Sequence, residues 1–329
     1  ENFFITGQLL RPEMIDSLAL LKKACASANK EAGALEARVA DAIMGACDDI
    51  LAGKYRDQFI VDPIQGGAGT SMNMNANEVI ANAAIHRLGG QLGDYTLVHP
   101  NDHVNCGQST NDVIPTAGKM TALTLLQSLE KSLDKLSASL LQKAKEFDSI
   151  IKMGRTQLQD AVPIRLGQEF GAYAAAVSRG ARRIRATEDE LYAVNLGGTA
   201  IGTGLNADRT YFHCVAGTLA EMTGFPFRQA DDLIDGTQNI DSFSAVSGAV
   251  KDCALALSKI ANDLRLMSSG PRTGFGEINL PARQNGSSIM PGKVNPVIPE
   301  VVNQAAFRVA GNDVTISMAV EAGQFELNA

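Results

Sequence analysis

Two long apolar seams constrain this chain more than any other feature. Leu126, Leu129, Leu133, Leu136 and Leu140 recur at alternating steps of three and four, the spacing that keeps one stripe of a helix turned toward its neighbours over several turns. Val246, Val250, Cys253, Leu257, Ile260, Leu264 and Met267 repeat the alternation until Gly270-Pro271 stops it. A stripe of this kind must be covered by another element, so two of them imply a helix bundle.

The rest of the chain agrees. From Pro12 to about Gly53 the apolar residues Ile15, Leu18, Leu21, Leu35, Val39 and Ile43 fit two amphipathic helices broken near Gly33. Between Lys54 and Asp112 the pattern gives way to polar, Gly- and Asn-rich loops around a short helix expected over Glu78 to Leu88. Leu166 to Val194 is Ala-rich with Phe170, Tyr173 and Val177 on one face, and Pro299 to Val320 is helix-like again. No alternating run of β-branched residues is long enough for a sheet of any size. The expected fold class is all-α, with a boundary near Asn111 to Pro115. Gln324 to Ala329 reads as polar helix-like sequence, hinting at a continuation.

With 45% hydrophobic residues, 329 positions supply a large core. A net charge of -7 disfavours nucleic acid or an anionic membrane as partner, so an anion site would need locally placed cations. The five cysteines are scattered, indicating neither a zinc site nor a disulfide framework and fitting a reducing compartment. No window approaches the length that spans a bilayer. A soluble, cytoplasmic protein is expected.

Four polar stretches carry the chemistry. Gly66 to Glu78 is glycine-rich, then Asn-rich, and opens a helix, where backbone N–H groups could face an anion or where Asn75 and Asn77 could simply satisfy backbone groups. In His103 to Asp112, Ser109, Thr110 or Asp112 could cap the next helix. Gly154 to Pro163 reads as a third loop, with Arg155 and Asp160 either a structural ion pair or part of a site. Gly286-Ser287-Ser288-Ile289-Met290-Pro291-Gly292-Lys293-Val294-Asn295-Pro296 cannot be helix interior, because its prolines lack N–H donors. Its two hydroxyls, one cation and one carboxamide suit an anionic substrate, or a polar turn.

Other signals are weaker. Asp231-Asp232 with Asp235 could hold Mg²⁺ against a diphosphate, but there is no second acidic motif downstream, and an acidic helix start is the simpler reading. Gly202-x-Gly204 has no strand before it, and the four histidines have no metal or triad spacing.

Taken together, Gly-Ala-Gly-Thr-x-x-Asn-Met-Asn, Gln-Ser-Thr-Asn-Asp, Gly-Arg-Thr-Gln-Leu-Gln-Asp and Gly-Ser-Ser-Ile-Met-Pro-Gly-Lys-Val-Asn-Pro occur in one order on one helical chain. This closely resembles the aspartase/fumarase superfamily of all-α lyases, over essentially every residue. Within it, Thr110, Gln157 and the Ala230 to Gln238 segment resemble the aspartase pattern more than that of the class II fumarases.

The resemblance implies an elongated helical bundle, with a smaller N-terminal domain over 1–111 lacking its first segment and a central bundle domain over 112–329. It implies that the small C-terminal domain lies outside this sequence, and that the protein is a homotetramer with shared active sites. The implied reaction is reversible deamination of L-aspartate to fumarate and ammonia through an enediolate, without cofactor or metal. Ser287 is the implied general base. Thr70, Ser109, Thr110 and Ser288 are assigned to the β-carboxylate, Lys293, Asn295 and Thr156 to the α-carboxylate, and Asn111 with Gln157 to the amino group. A fumarate hydratase and a non-catalytic structural member of the superfamily are the alternatives.

Overall fold

Helices carry this fold, as the seams require. The structure is a computed structural model describing residues 4–328. In chain order its elements are α1 (Pro12–Glu31), α2 (Ala37–Leu51), α3 (Thr70–Arg87), α4 (Thr110–Glu146), β1 (Ile151–Thr156), β2 (Gln159–Arg165), α5 (Leu166–Arg185), α6 (Glu188–Tyr192), β3 (Ala193–Val194), α7 (Arg209–Thr223), β4 (Arg228–Gln229), α8 (Leu233–Gln238), α9 (Asp241–Met267) and α10 (Val297–Glu321). They form two compact units, one of residues 4–125, 188–243 and 318–328, the other of 126–187 and 244–317.

The first unit is built on a helical hairpin. Pro12 starts α1, where a missing N–H costs nothing. Ile15, Leu18, Leu21, Cys25 and Ala28 are buried along it, facing Val39, Ile43, Ala46 and Ile50 of α2. Gly33, with φ 72°, lies in the break between them. On the other side α1 meets α7, whose Tyr211 is fully buried and donates its hydroxyl to the Cys25 sulfur at 3.4 Å.

α3 starts well before the expected Glu78. Its Asn-rich first half has poor intrinsic helix propensity, yet Asn73 and Asn77 are buried and bonded to Asn105, and that pairing outweighs the propensity. Asn111 to Pro115, where the composition changes, lies at the start of α4. Pro115 cannot donate to the Asn111 carbonyl one turn back; Asn195 Nδ2 donates to it instead, at 3.0 Å.

In the second unit the seams resolve into unequal halves. Leu126, Leu133 and Leu140 of α4 are buried, as are Val246, Cys253, Ile260 and Met267, the corresponding heptad positions of α9. Their interleaved partners are left more open: Leu129, Val250, Leu257 and Leu264 are half-buried and Leu136 is exposed. α5 buries Phe170, Tyr173, Val177 and Ile184, and a side chain at Gly180 would meet the Cys253 sulfur at 2.8 Å, so α5 and α9 approach closely. α10 buries Asn303 and Ala306 while Val301, Phe307 and Val314 stand exposed.

Two further expectations are corrected. The stretch Gly154 to Pro163 is not a loop: β1 and β2 pair antiparallel, turning at Gln157 and Leu158 with φ 53° and 63°. Such a turn is usually announced by Asn-Gly or Asp-Gly, so Gln-Leu gives no signal. The chain end is not helical either, because α10 stops at Glu321 and Gln324 bridges to Leu327. Among the described residues the only other strands are β3 and β4, two residues each. No helix of the described residues is long and apolar enough to cross a membrane.

Candidate active site

In the first unit, Ser109, Thr110 and Asn111 lie where a polar loop enters α4. Gly107 has φ 68°, and a side chain there would meet the Tyr211 ring at 3.1 Å, so only glycine lets the loop pass. The three candidate residues are each held. Ser109 Oγ accepts from Asn111 N at 3.2 Å, Thr110 Oγ1 accepts from Asn73 Nδ2 at 3.1 Å, and Asn111 Nδ2 donates to Ala200 O at 2.7 Å. Thr70 opens α3, its hydroxyl donating to Gly67 O at 2.5 Å.

Beneath this loop sits a buried polar scaffold that sequence reasoning missed. The fully buried Lys22 donates to Asn105 Oδ1 at 2.7 Å and Gln108 Oε1 at 2.9 Å. Asn73 and Asn77 donate to the same Asn105 oxygen. Burial pulls the Lys22 ammonium down to about 8, opposed by the charge of Asp112. Asp112 accepts from Ser109 N at 2.9 Å and from Gly197 N and Thr199 N at 3.1 Å each. Burial pushes its carboxyl up to about 6, against the pull of those N–H groups and Lys22.

Asp112 therefore ties the hydroxyl loop to the segment containing Gly202 and Gly204. That segment is no nucleotide loop: a side chain at Gly202 would meet Ile234 N at 2.4 Å. It closes one side of a cleft of about 470 Å³ lined by Gln108, Ser109, Thr199, Ala200 and Thr203, among others. The signal in the sequence is its density of small residues, which permits close backbone approach.

In the second unit Thr156 and Gln157 are exposed at the tip of the β1–β2 hairpin. Gly286 to Pro296 is a loop, as expected. Ser287 N donates to Lys293 O at 3.0 Å, and Lys293 N donates to Met290 O at 3.2 Å. Ser287 Oγ, half-buried, accepts from Ile289 N and Met290 N, both at 3.3 Å. Two backbone N–H groups thus point at one hydroxyl oxygen, an arrangement that favours negative charge there. Ser288, Lys293 and Asn295 are exposed, and their side chains make no hydrogen bond among the described residues.

Asp232 caps α8, accepting from Ile234 N at 2.8 Å and Asp235 N at 3.2 Å, as an acidic helix start should. Among the described residues no group of three or more His, Cys, Asp or Glu is placed to hold a metal ion.

Known proteins share this chain's sequence and fold. The lyase family model matches residues 2–311. The chain is 58% identical over 328 residues to the aspartate ammonia-lyase of Bacillus subtilis, covering 100% of this chain and 69% of that protein. It is 52% identical over 331 residues to the aspartate ammonia-lyase of Escherichia coli K12, covering 100% and 69%. Among solved structures, a fumarate lyase:delta crystallin from Brucella melitensis bound to cobalt superposes with TM-score 0.97 at 50% identity, covering 100% of this chain and 72% of that one. A class II fumarase from Schistosoma mansoni gives TM-score 0.96 at 35% identity, covering 99% and 72%. The chain therefore belongs to the lyase family, in its aspartate ammonia-lyase group.

Proposed function

We propose that this chain catalyses the reversible deamination of L-aspartate to fumarate and ammonia, with Ser287 as general base. The observation that carries the reading is the pair of N–H groups aimed at Ser287 Oγ. A serine hydroxyl is ordinarily far too weak an acid to supply an alkoxide, and fixed donors around its oxygen lower that cost.

The alkoxide takes the proton from the carbon next to the β-carboxylate. The electron pair moves into that carboxylate, which becomes an enediolate bearing a second negative charge. Hydroxyl donors around that carboxylate stabilise this charge, Ser109 and Thr110 being held beforehand and Thr70 exchanging its bond to Gly67 O. Thr70, Ser109, Thr110 and Ser288 serve in this role, with Lys293, Asn295 and Thr156 on the α-carboxylate and Asn111 and Gln157 beside the amino group. The pair then returns to form the carbon–carbon double bond as the ammonium group departs as neutral ammonia. Ser287 keeps the abstracted proton until solvent removes it.

The half-open heptad positions of α4 and α9, and the exposed Val301, Phe307 and Val314 of α10, support a homotetramer whose helices complete the bundle across subunits. In that reading the sites are shared between subunits, and the division into domains at 1–111 and 112–329 is that of the family.

The test is to follow fumarate absorbance after adding L-aspartate, and separately L-malate, to the purified protein. Fumarate formed from aspartate alone supports the reading. Formation from malate alone would establish a hydratase, and inactivity on both a structural role.

A further inference from the structure

The β1–β2 hairpin presents Thr156 from a strand with a defect. In a regular strand Lys152 and Arg155, three apart, would point to opposite faces. The register slips between Met153 and Arg155, and a side chain at Gly154 would meet Val162 O at 2.8 Å. Such a bulge re-aims the side chains beyond it, and here both cations reach one carboxylate, Glu277. Lys152 Nζ lies 2.7 Å from Glu277 Oε2 and 2.7 Å from Glu169 Oε2 of α5. Arg155 Nη1 donates to Glu277 Oε1, and its guanidinium lies 4.5 Å from the centre of the Phe275 ring. The Lys152 and Glu277 side chains are 11% and 14% exposed, so solvent screens this cluster weakly.

Glu277 is itself fixed. Its N–H donates to Met267 O, the last residue of α9, at 2.8 Å, and Ile278 N donates to the same oxygen at 3.3 Å. Just before it, Gly276 N and Phe275 N donate to Ser269 O and Oγ. The end of α9 thus holds the Glu277 backbone, and the Glu277 carboxylate meets both cations at the base of an otherwise exposed tip.

We propose that Glu277 is a positioning residue for the lyase reaction, setting Thr156 at the substrate through the bulged strand β1. The inference rests on the reading of Thr156 as an α-carboxylate ligand. A carboxylate merely filling a salt cluster would affect folding alone. One that aims Thr156 affects substrate binding and loses that effect once the Thr156 hydroxyl is gone.

The experiment is a cycle of Glu277→Gln, Thr156→Ala and the double variant, with kcat and KM for L-aspartate and thermal unfolding measured on each. Glu277→Gln should raise KM about tenfold with kcat within about threefold, since a misplaced ligand costs binding before chemistry. The double variant should have the KM of Thr156→Ala alone. Glu277→Gln leaving KM within about twofold, or effects that multiply in the double variant, would overturn the proposal. Should Thr156→Ala by itself leave KM unchanged, the α-carboxylate reading fails first and the inference falls with it, visibly in that single variant. If Glu277→Gln does not fold, Arg155→Lys takes its place in the cycle: it keeps the charge but lacks the planar guanidinium that bonds Glu277 while lying over the Phe275 ring. The same non-multiplying rise in KM is then expected, and a KM within about twofold overturns the proposal.

Discussion

The polar loop before α4 and the loop from Gly286 to Pro296 carry the same kinds of side chain and are held in opposite ways. Around Ser109 to Asn111 every candidate side chain has a partner, and beneath them Lys22 and Asp112 are wholly buried. The Gly286 to Pro296 loop is held by a few of its own backbone bonds, and Ser288, Lys293 and Asn295 extend from it unpaired among the described residues. The first loop gets fixed donors at the expense of buried charge. The second leaves its groups unpaired among the described residues, and Gly292 at φ 81° gives it a backbone conformation that L side chains rarely adopt. In the proposed reaction, fixed donors would suit the enediolate, whereas unpaired groups on a loop would suit a base that must first admit its substrate.

This contrast can be broken by substitutions on either side. The largest effect on folding is expected from Lys22→Met, which leaves Gln108 Oε1 without its donor and Asp112 without its compensating charge. The relief of a buried ammonium does not offset that, and we expect a loss of about 3 kcal/mol in denaturant titration, with turnover falling alongside. A loss below about 0.5 kcal/mol would mean that the first loop is not held from beneath.

Asp112 makes a pH-dependent prediction. Its folded value near 6 lies above the unfolded value near 3.9, so the native state binds more protons between them, and this group's contribution to stability falls as pH rises from about 4 to 6. Asp112→Asn should lack that fall, so the stability difference between wild type and variant should shift by about 2 to 3 kcal/mol over the interval. Urea titrations at the two ends measure it, and a constant difference would refute the burial argument.

Gly107→Ala forces a left-handed residue against the Tyr211 ring and should cost about 1 to 2 kcal/mol by the same titration. Gly292→Ala is the matching change in the other loop and should be the mildest. Its φ is also positive, but the added methyl meets open space, so global stability should drop by less than about 1 kcal/mol. Equal losses at the two glycines would erase the contrast.

Much of the fold is legible in the sequence because it is periodic. The seams at Leu126 to Leu140 and Val246 to Met267 declare the bundle, and the prolines of Gly286 to Pro296 declare a loop. The hidden features depend on contacts distant in sequence. Nothing local marks Lys22 as buried, since its partners Asn105 and Gln108 come from another part of the chain. The helix over Asn73 to Asn77 and the turn at Gln157-Leu158 both contradict local propensity, and both lie beside residues the family likeness assigns to the site. Leu136 belongs to the seam by its spacing and is exposed, because a heptad pattern does not by itself supply the element that covers each position.

The central claim is tested most directly by the rate of fumarate release from L-aspartate in Ser287→Ala, compared with wild type at saturating substrate and matched thermal stability. We predict a kcat lower by about a thousandfold with the unfolding temperature unchanged, because the change removes the base from an exposed loop without touching the buried scaffold. A kcat within about tenfold of wild type would contradict the assignment of Ser287 as the base.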